Sequence, residues 1–141
     1  GCFIANFVNG IDIISKKNVE DLIKSLSKNY VIQECLNCSE SIKKIYPKSV
    51  NTFRIISYRW KNEYKHCPII MRIGQGNGYL DNAHAGGMFV SITDDGILGD
   101  VAFTEFQDRY VAHPDTGIVF KDYKIENDKY VFTLKDTVFN K

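Results

Sequence analysis

The chain has 141 residues, of which 44% are hydrophobic and 25% are charged, and its formal net charge is +1. This apolar share is enough for the core of one domain, or of part of one. The near-neutral charge excludes the strong electrostatic field typical of nucleic-acid-binding proteins, and no apolar run approaches the length of a membrane span.

The first residues predict a hairpin followed by a helix. Residues 2–14 have the composition of two short strands joined by Asn9-Gly10, a dipeptide typical of two-residue hairpin turns. A helix is predicted over residues 18–28, with Asn18 as N-cap and acidic residues in its first turn. Its apolar residues are spaced as on one helical face: Val19, Leu22, Ile23 and Leu26.

The next two segments predict a strand and a short helix. Residues 30–36, Tyr-Val-Ile-Gln-Glu-Cys-Leu, have the composition of a core strand that runs into a loop. Residues 39–46 predict a helix with Ile42 and Ile45 facing inward, and Pro47 ends it.

Cysteine spacing raises the question of a metal site. The chain has four cysteines, and Cys35-x-x-Cys38 allows a zinc or a redox interpretation. A zinc site usually needs a second pair at suitable spacing, and His66-Cys67 is a poor match. We therefore expect free thiols, as in a reducing cytosol.

Consecutive strands are predicted after residue 50. Residues 50–60 read as one long strand, and residues 67–73 return after a short turn. Residues 88–92 and 97–103 form a further hairpin, whereas residues 103–111 carry no assignable pattern and residues 123–139 alternate only weakly. Short turns between successive strands favour antiparallel pairing. The predicted fold class is α+β, with a central antiparallel sheet and few helices.

Arg54 is an arginine within a strongly apolar strand, and arginine is rarely buried without a partner. One interpretation is an edge-strand arginine paired with an acidic residue. The other places Arg54 on the sheet face that binds a ligand, where it would reach a phosphate.

Residues 69–87 combine an apolar strand, Arg72 and a loop rich in glycine. One interpretation is an ordinary hairpin with a long loop. The other is an anion site, because successive glycine N–H groups can form a nest and a nearby arginine can bind phosphate or carboxylate. The glycine content of residues 74–86 predicts a mobile loop. Residues 113–117, His-Pro-Asp-Thr-Gly, have the composition of a surface turn.

Three strings together resemble a known family. Residues 72–87, with Asp81-Asn82-Ala-His-Ala-Gly-Gly, resemble the segment of ATP-grasp ligases such as glutathione synthetases that runs from an arginine to Asn-x-x-x-Gly-Gly. More closely, they resemble the sugar-transfer-associated ATP-grasp family of bacterial surface-polysaccharide clusters. Residues 49–54, Ser-Val-Asn-Thr-Phe-Arg, and residues 113–117 also match that family. The resemblance covers about residues 30–120.

The resemblance implies a division of the chain like that of the C-terminal part of an ATP-grasp fold. Residues 1–36 would be the end of the lid subdomain with its hinge strand, and residues 37–141 a partial catalytic subdomain. The hinge would place the adenine of ATP against the backbone near four residues: Gln33, Glu34, Cys35 and Leu36.

The resemblance also implies a reaction in the cytoplasm, the ATP-dependent ligation of a carboxylate to an amine through an acylphosphate, with ATP and Mg²⁺ as cofactors. The partners would be a nucleotide and small-molecule carboxylates and amines, such as an amino sugar or a glycan precursor. Arg54 and Arg72 would bind anions, and Asp81 would orient Arg72. Asn82 with Gly86-Gly87 would shape the loop over the acylphosphate, and His84 would be a loop residue.

Two departures from the family pattern point to a fragment. The family's Glu-x-Asn magnesium motif is missing, and residues 1–15 lack the expected lid lysine. We therefore expect the Mg²⁺ ligands to lie outside this chain, with Asp81 and Asp115 as the first carboxylates to examine otherwise. The alternative is a non-catalytic ligand-binding or interaction domain that keeps only part of the ATP-grasp sheet.

Overall fold

A computed structural model describes residues 4–26 and 29–126. The chain divides into two compact units, Gly1–Leu36 and Asn37–Lys141. In the part of the chain that the structure describes, no helix is both long and apolar enough to cross a membrane.

The first unit begins with the predicted hairpin. Strands β1 (Phe7–Val8) and β2 (Ile11–Asp12) pair antiparallel. Asn9 and Gly10 both have positive φ, 51° and 78°, as a type I′ turn requires. The Asp12 carboxylate accepts the backbone N–H groups of Asn6 and Ser15 at 2.8 and 2.7 Å. The hairpin prediction is confirmed.

Helix α1 (Val19–Lys24) follows. The Asn18 side chain accepts the N–H of Asp21 at 2.8 Å, which confirms the predicted N-cap. The helix ends at Lys24 and is therefore shorter than predicted. None of its residues is buried. A short helix with no buried apolar face gains little from tertiary packing. Residues 27–28 lie outside the described part.

The predicted core strand at residues 30–36 is wrong. This segment belongs to no strand, and its side chains are exposed; Val31, for example, is 86% exposed. An apolar run becomes a strand only where a neighbouring strand satisfies its backbone groups, and no described strand pairs with it.

The second unit is built on an antiparallel sheet of five strands, in the order β3-β6-β7-β8-β9. This confirms the predicted α+β class. Its elements in chain order are α2 (Glu40–Ile45), β3 (Thr52–Arg54), β4 (Ser57–Trp60), β5 (Glu63–His66), β6 (Ile69–Ile73), β7 (Met88–Ile92), β8 (Ala102–Thr104) and β9 (Arg109–Tyr110). Short 3-10 turns lie at Ala83–Ala85 and Phe120–Asp122.

The long strand predicted over residues 50–60 is two strands. β3 pairs with β6, whereas β4 pairs only with β5 in a separate hairpin. The break coincides with Pro68, which has no N–H to donate to the ladder. Cys67 still donates its N–H to Ile56 at 2.8 Å. Residues 103–111, which carried no sequence signal, contain the end of β8, a turn and β9.

One face of the sheet is the core and the other is open. Burial alternates along β6 and β7, which places Met71 and Val90 on the core face. Ile42 and Ile45 of α2 are 5% and 0% exposed and join the same core, as predicted. Of the weakly alternating segment, residues 127–139 lie outside the described part.

Candidate functional site

A single row of side chains crosses all five strands on the open face. Thr52 pairs with Arg72, Arg72 with Phe89, Phe89 with Phe103, and Phe103 with Arg109. Residues that pair directly across antiparallel strands point to the same face of the sheet. We call these five residues the open-face row.

The row has aromatic rings in its middle. The rings of Phe89 and Phe103 stack with centroids 6.1 Å apart, and the Arg109 guanidinium lies 5.3 Å from the Phe103 ring centroid. This distance is within the range of cation–π attraction. The row therefore places two aromatic rings between Arg72 and Arg109.

Arg72 is fixed in place by two side chains. Its Nε and Nη2 donate to the Thr52 hydroxyl at 3.1 and 2.8 Å. Its Nη2 also lies 3.5 Å from Asp81 Oδ1, and the Thr52 hydroxyl donates to Asp81 Oδ2. The Asp81 contact agrees with the predicted orienting role, whereas sequence reasoning did not find Thr52.

Arg54 lies on the same face as Arg72. It is the last residue of edge strand β3 and pairs with Ile70. This pair lies two residues along the strands from the Thr52–Arg72 pair. Its side chain is exposed, and no ion pair joins it to any acidic residue that the structure describes. It sits on an edge strand, as the first interpretation expected, but without the acidic partner.

The three family-like strings meet at the glycine loop, residues 74–86. Gly74 donates its N–H to Asn51 Oδ1 at 3.1 Å, and its carbonyl lies 2.9 Å from His113 Nε2. Gly76 donates its N–H to Asp115 Oδ2 at 2.6 Å. These two amides thus donate to the chain's own side chains rather than lying open to an external anion.

His113 anchors the glycine loop through a buried hydrogen bond. Its ring is fully buried, stacks on Tyr46 at 5.2 Å and meets Phe120 edge-on at 6.4 Å. Its Nδ1 accepts the Asp115 N–H at 3.2 Å, so in the neutral ring Nε2 carries the hydrogen and donates to Gly74. Residues 113–117 therefore form a turn, as predicted, but one with an internal role.

Tyr46 adds a second anchor. Its hydroxyl lies 2.7 and 2.8 Å from the carbonyl oxygens of Gly76 and Gly78. Burial, and secondarily the Asp115 charge, raises the pKa of Tyr46, which keeps the hydroxyl protonated as a donor. Gly74 has no room for a side chain, because a Cβ there would lie 2.5 Å from Ser49 Oγ.

The end of the glycine loop is a compact 3-10 turn. The Asn82 carbonyl accepts the N–H groups of Ala85 and Gly87, both at 2.9 Å. Gly86 has φ of 89°, and a Cβ on Gly87 would collide with the Asp81 carbonyl. The Asn82 side chain is exposed. Asn82 thus shapes this turn through its backbone. Glycine is required at positions 86 and 87.

The sequence profile of the sugar-transfer associated ATP-grasp family matches residues 10–141. The chain belongs to this family. Comparisons with curated proteins and with solved structures returned no match. Membership makes the chain an ATP-grasp ligase-type domain.

The predicted adenine-binding residues of this ATP-grasp domain lie in the first unit. They are exposed and in irregular structure: Gln33, Glu34, Cys35 and Leu36. The hinge strand expected to carry them is not formed, and their contact with adenine stays a prediction. The residues predicted to act on the substrates all lie in the second unit: Arg54, Arg72, Asn82 and Gly86-Gly87.

Metal-binding side chains do not cluster in residues 4–26 and 29–126, where no three His, Cys, Asp or Glu residues come together. Asp81 and Asp115 are both occupied by the contacts given above. Cys38 Sγ accepts the Asn51 N–H at 3.1 Å, and burial raises the pKa of the Cys38 thiol. The Cys38 thiol thus has a structural role, whereas Cys35 is exposed.

His84 lies in the 3-10 turn with its side chain 77% exposed. Its Nδ1 is 2.6 Å from a carboxylate oxygen of Glu105. An exposed pair of this kind contributes little to stability. His84 is thus a loop residue with a surface partner.

Proposed function

We propose that this domain binds ATP phosphates and a substrate carboxylate on the open face of the five-stranded sheet, as part of an enzyme that ligates a carboxylate to an amine through an acylphosphate. The substrates we propose are precursors of bacterial cell-surface polysaccharide, such as amino sugars. Family membership supports the ligase type. The single observation that carries the site is Arg72, held on the open face by Thr52 and Asp81.

The charge of the open face supports an anionic ligand. Arg54, Arg72 and Arg109 all belong to this face, and only Arg72 contacts an acidic side chain among the described residues. Planar guanidinium groups bind phosphate and carboxylate oxygens through two parallel hydrogen bonds. Fixed cations of this kind stabilise charge that develops on a transferred phosphoryl group.

ATP fits this surface, because the arginines offer donors to its phosphates and the Phe89–Phe103 stack offers an apolar surface beside them. When bound, ATP would supply the phosphoryl group that activates the carboxylate. The chain's own residues would position the reactants and balance their charge, and no side-chain nucleophile is needed.

Mg²⁺ does not fit the described residues in the same way. Asp81 is engaged by Thr52 and Arg72, and Asp115 is engaged by Gly76. We therefore assign no step to a metal held by these residues.

A coupled ADP-release assay on the complete gene product tests the proposal. With Mg-ATP and a panel of carboxylates and amines, including amino sugars, we expect substrate-dependent ADP release. Arg72→Ala should abolish most of it, whereas Arg59→Ala should not, because Arg59 lies on the separate β4–β5 hairpin and contacts Asn62. If the protein binds ATP but releases no ADP with any pair of substrates tested, the result would instead support the non-catalytic alternative.

A further inference from the structure

We infer that Thr52 is a positioning residue that sets which edge of the Arg72 guanidinium faces an oxyanion on the open face. The inference deepens the proposed function and rests on it for the identity of the ligand. The geometry of the Thr52 hydroxyl can be tested without any ligand.

The Thr52 hydroxyl is fully used by its neighbours. A hydroxyl group has one hydrogen to donate and two lone pairs to accept. Its hydrogen goes to Asp81 Oδ2, and its lone pairs accept Nε–H and Nη2–H of Arg72. The two hydrogen bonds from Arg72 come from the Nε–Nη2 edge of its guanidinium group, so Thr52 occupies this edge.

The Nη1–Nη2 edge of the guanidinium group is left for a ligand. Arg72 Nη1 has no hydrogen bond to any residue that the structure describes, and the Arg72 side chain is 30% exposed. The Nη1–Nη2 edge can therefore bind two oxygens of one phosphate or carboxylate. Asp81 supports this orientation in two ways, as the acceptor for Thr52 and as an ion-pair partner at 3.5 Å.

The backbone explains why a threonine serves here. Thr52 sits in β3 directly opposite Arg72, so its Cβ points to the same face at the spacing of a cross-strand pair. A β-branched side chain in a strand has few rotamers, which holds the hydroxyl between Arg72 and Asp81. A hydroxyl one residue earlier or later would point to the core face.

The test compares Thr52→Val with Thr52→Ser. Valine keeps the shape of threonine but lacks the hydroxyl, whereas serine keeps the hydroxyl. In the first readout, NMR follows the Arg72 Nε–H signal of the ligand-free protein. We expect slow exchange in the wild type and in Thr52→Ser, and fast exchange in Thr52→Val.

The second readout is the affinity of the complete gene product for pyrophosphate, measured by calorimetry. We expect Thr52→Val to weaken it about three- to tenfold, as for the loss of one hydrogen-bonded contact, and Thr52→Ser to stay close to the wild type. A thermal melt of each variant checks folding, and a Thr52→Val protein that fails to fold is replaced by Thr52→Ala.

Two outcomes would overturn the inference. One is an Arg72 Nε–H signal that exchanges equally in Thr52→Val and the wild type. The other is a Thr52→Ser variant that binds pyrophosphate as weakly as Thr52→Val does. If the wild type binds no pyrophosphate, the proposed phosphate site fails, and the Nε–H readout still decides the role of Thr52.

Discussion

Replacing His113 with alanine should destabilise the second unit and loosen the glycine loop. The buried ring stacks on Tyr46, packs against Phe120 and donates to the Gly74 carbonyl at 2.9 Å. Truncating a buried Phe or Trp ring to alanine costs about 3–5 kcal/mol, and the smaller imidazole ring belongs at the low end of that range. Leaving a buried carbonyl without its donor adds to that cost, so we expect a loss of at least about 3 kcal/mol.

The assay is urea unfolding followed by circular dichroism, together with amide hydrogen exchange at Gly74 and Gly76. In the wild type both amides should exchange slowly, because each donates to a side chain. In His113→Ala both should exchange much faster. His84→Ala is the matched control, since that exposed residue should change the free energy of unfolding by at most about 0.5 kcal/mol.

A loss below about 1 kcal/mol in His113→Ala, with unchanged exchange at Gly74, would refute this reasoning. The loop would then be held by its other contacts, such as those of Tyr46 and Asn51. Fast exchange at Gly74 in the wild type would instead support the mobile loop that glycine content alone predicts.

Three further predictions concern charge, thiols and the metal nucleotide. Hydrogen bonds from Ser15, then from Asn6, lower the pKa of Asp12 to about 2, so its contribution to the first hairpin is complete above the ordinary pKa of about 3.9. NMR contacts across that hairpin should weaken as the pH falls from 4 towards 2, and in Asp12→Asn they should be weaker at neutral pH; pH-independent contacts would contradict this. Iodoacetamide should alkylate exposed Cys35 before the partly buried Cys38, whose raised pKa leaves less thiolate, and mass spectrometry showing the reverse order would refute the structural role of Cys38. The 141 residues alone should show neither tight Mg-ATP binding in calorimetry nor ADP release above background, and micromolar affinity would mean that carboxylates of this chain, Asp81 and Asp115 first, hold the metal.

Local chemistry was readable from the sequence. The Asn9-Gly10 turn and the Asn18 cap depend on residues a few positions apart, so their patterns predicted them. Ile42 and Ile45 were placed correctly because helical spacing is fixed by geometry. The antiparallel sheet followed from short turns between apolar segments.

Long-range partners were not readable in the same way. Apolar composition predicted strands at residues 30–36 and 50–60. The first segment pairs with no described strand, and the second divides into β3 and β4, which pair with different strands. The contacts that anchor the glycine loop were not predicted, because the anchoring residues are distant in sequence; Asp115 is 39 residues from Gly76. Thr52 carried no signal of its own, and only the string of residues 49–54 marked its neighbourhood.

The affinity of the complete gene product for Mg-ATP and for its carboxylate substrate, with and without Arg72, tests the central claim most directly. Arg72→Ala removes charge-assisted hydrogen bonds of about 1.5–3 kcal/mol, so at least one ligand should bind about ten- to over a hundredfold more weakly. Arg72→Lys should restore only part of the loss, because lysine lacks the planar fork, and Arg59→Ala should bind as the wild type does. A folded Arg72→Ala protein with unchanged affinity for both ligands would contradict the account.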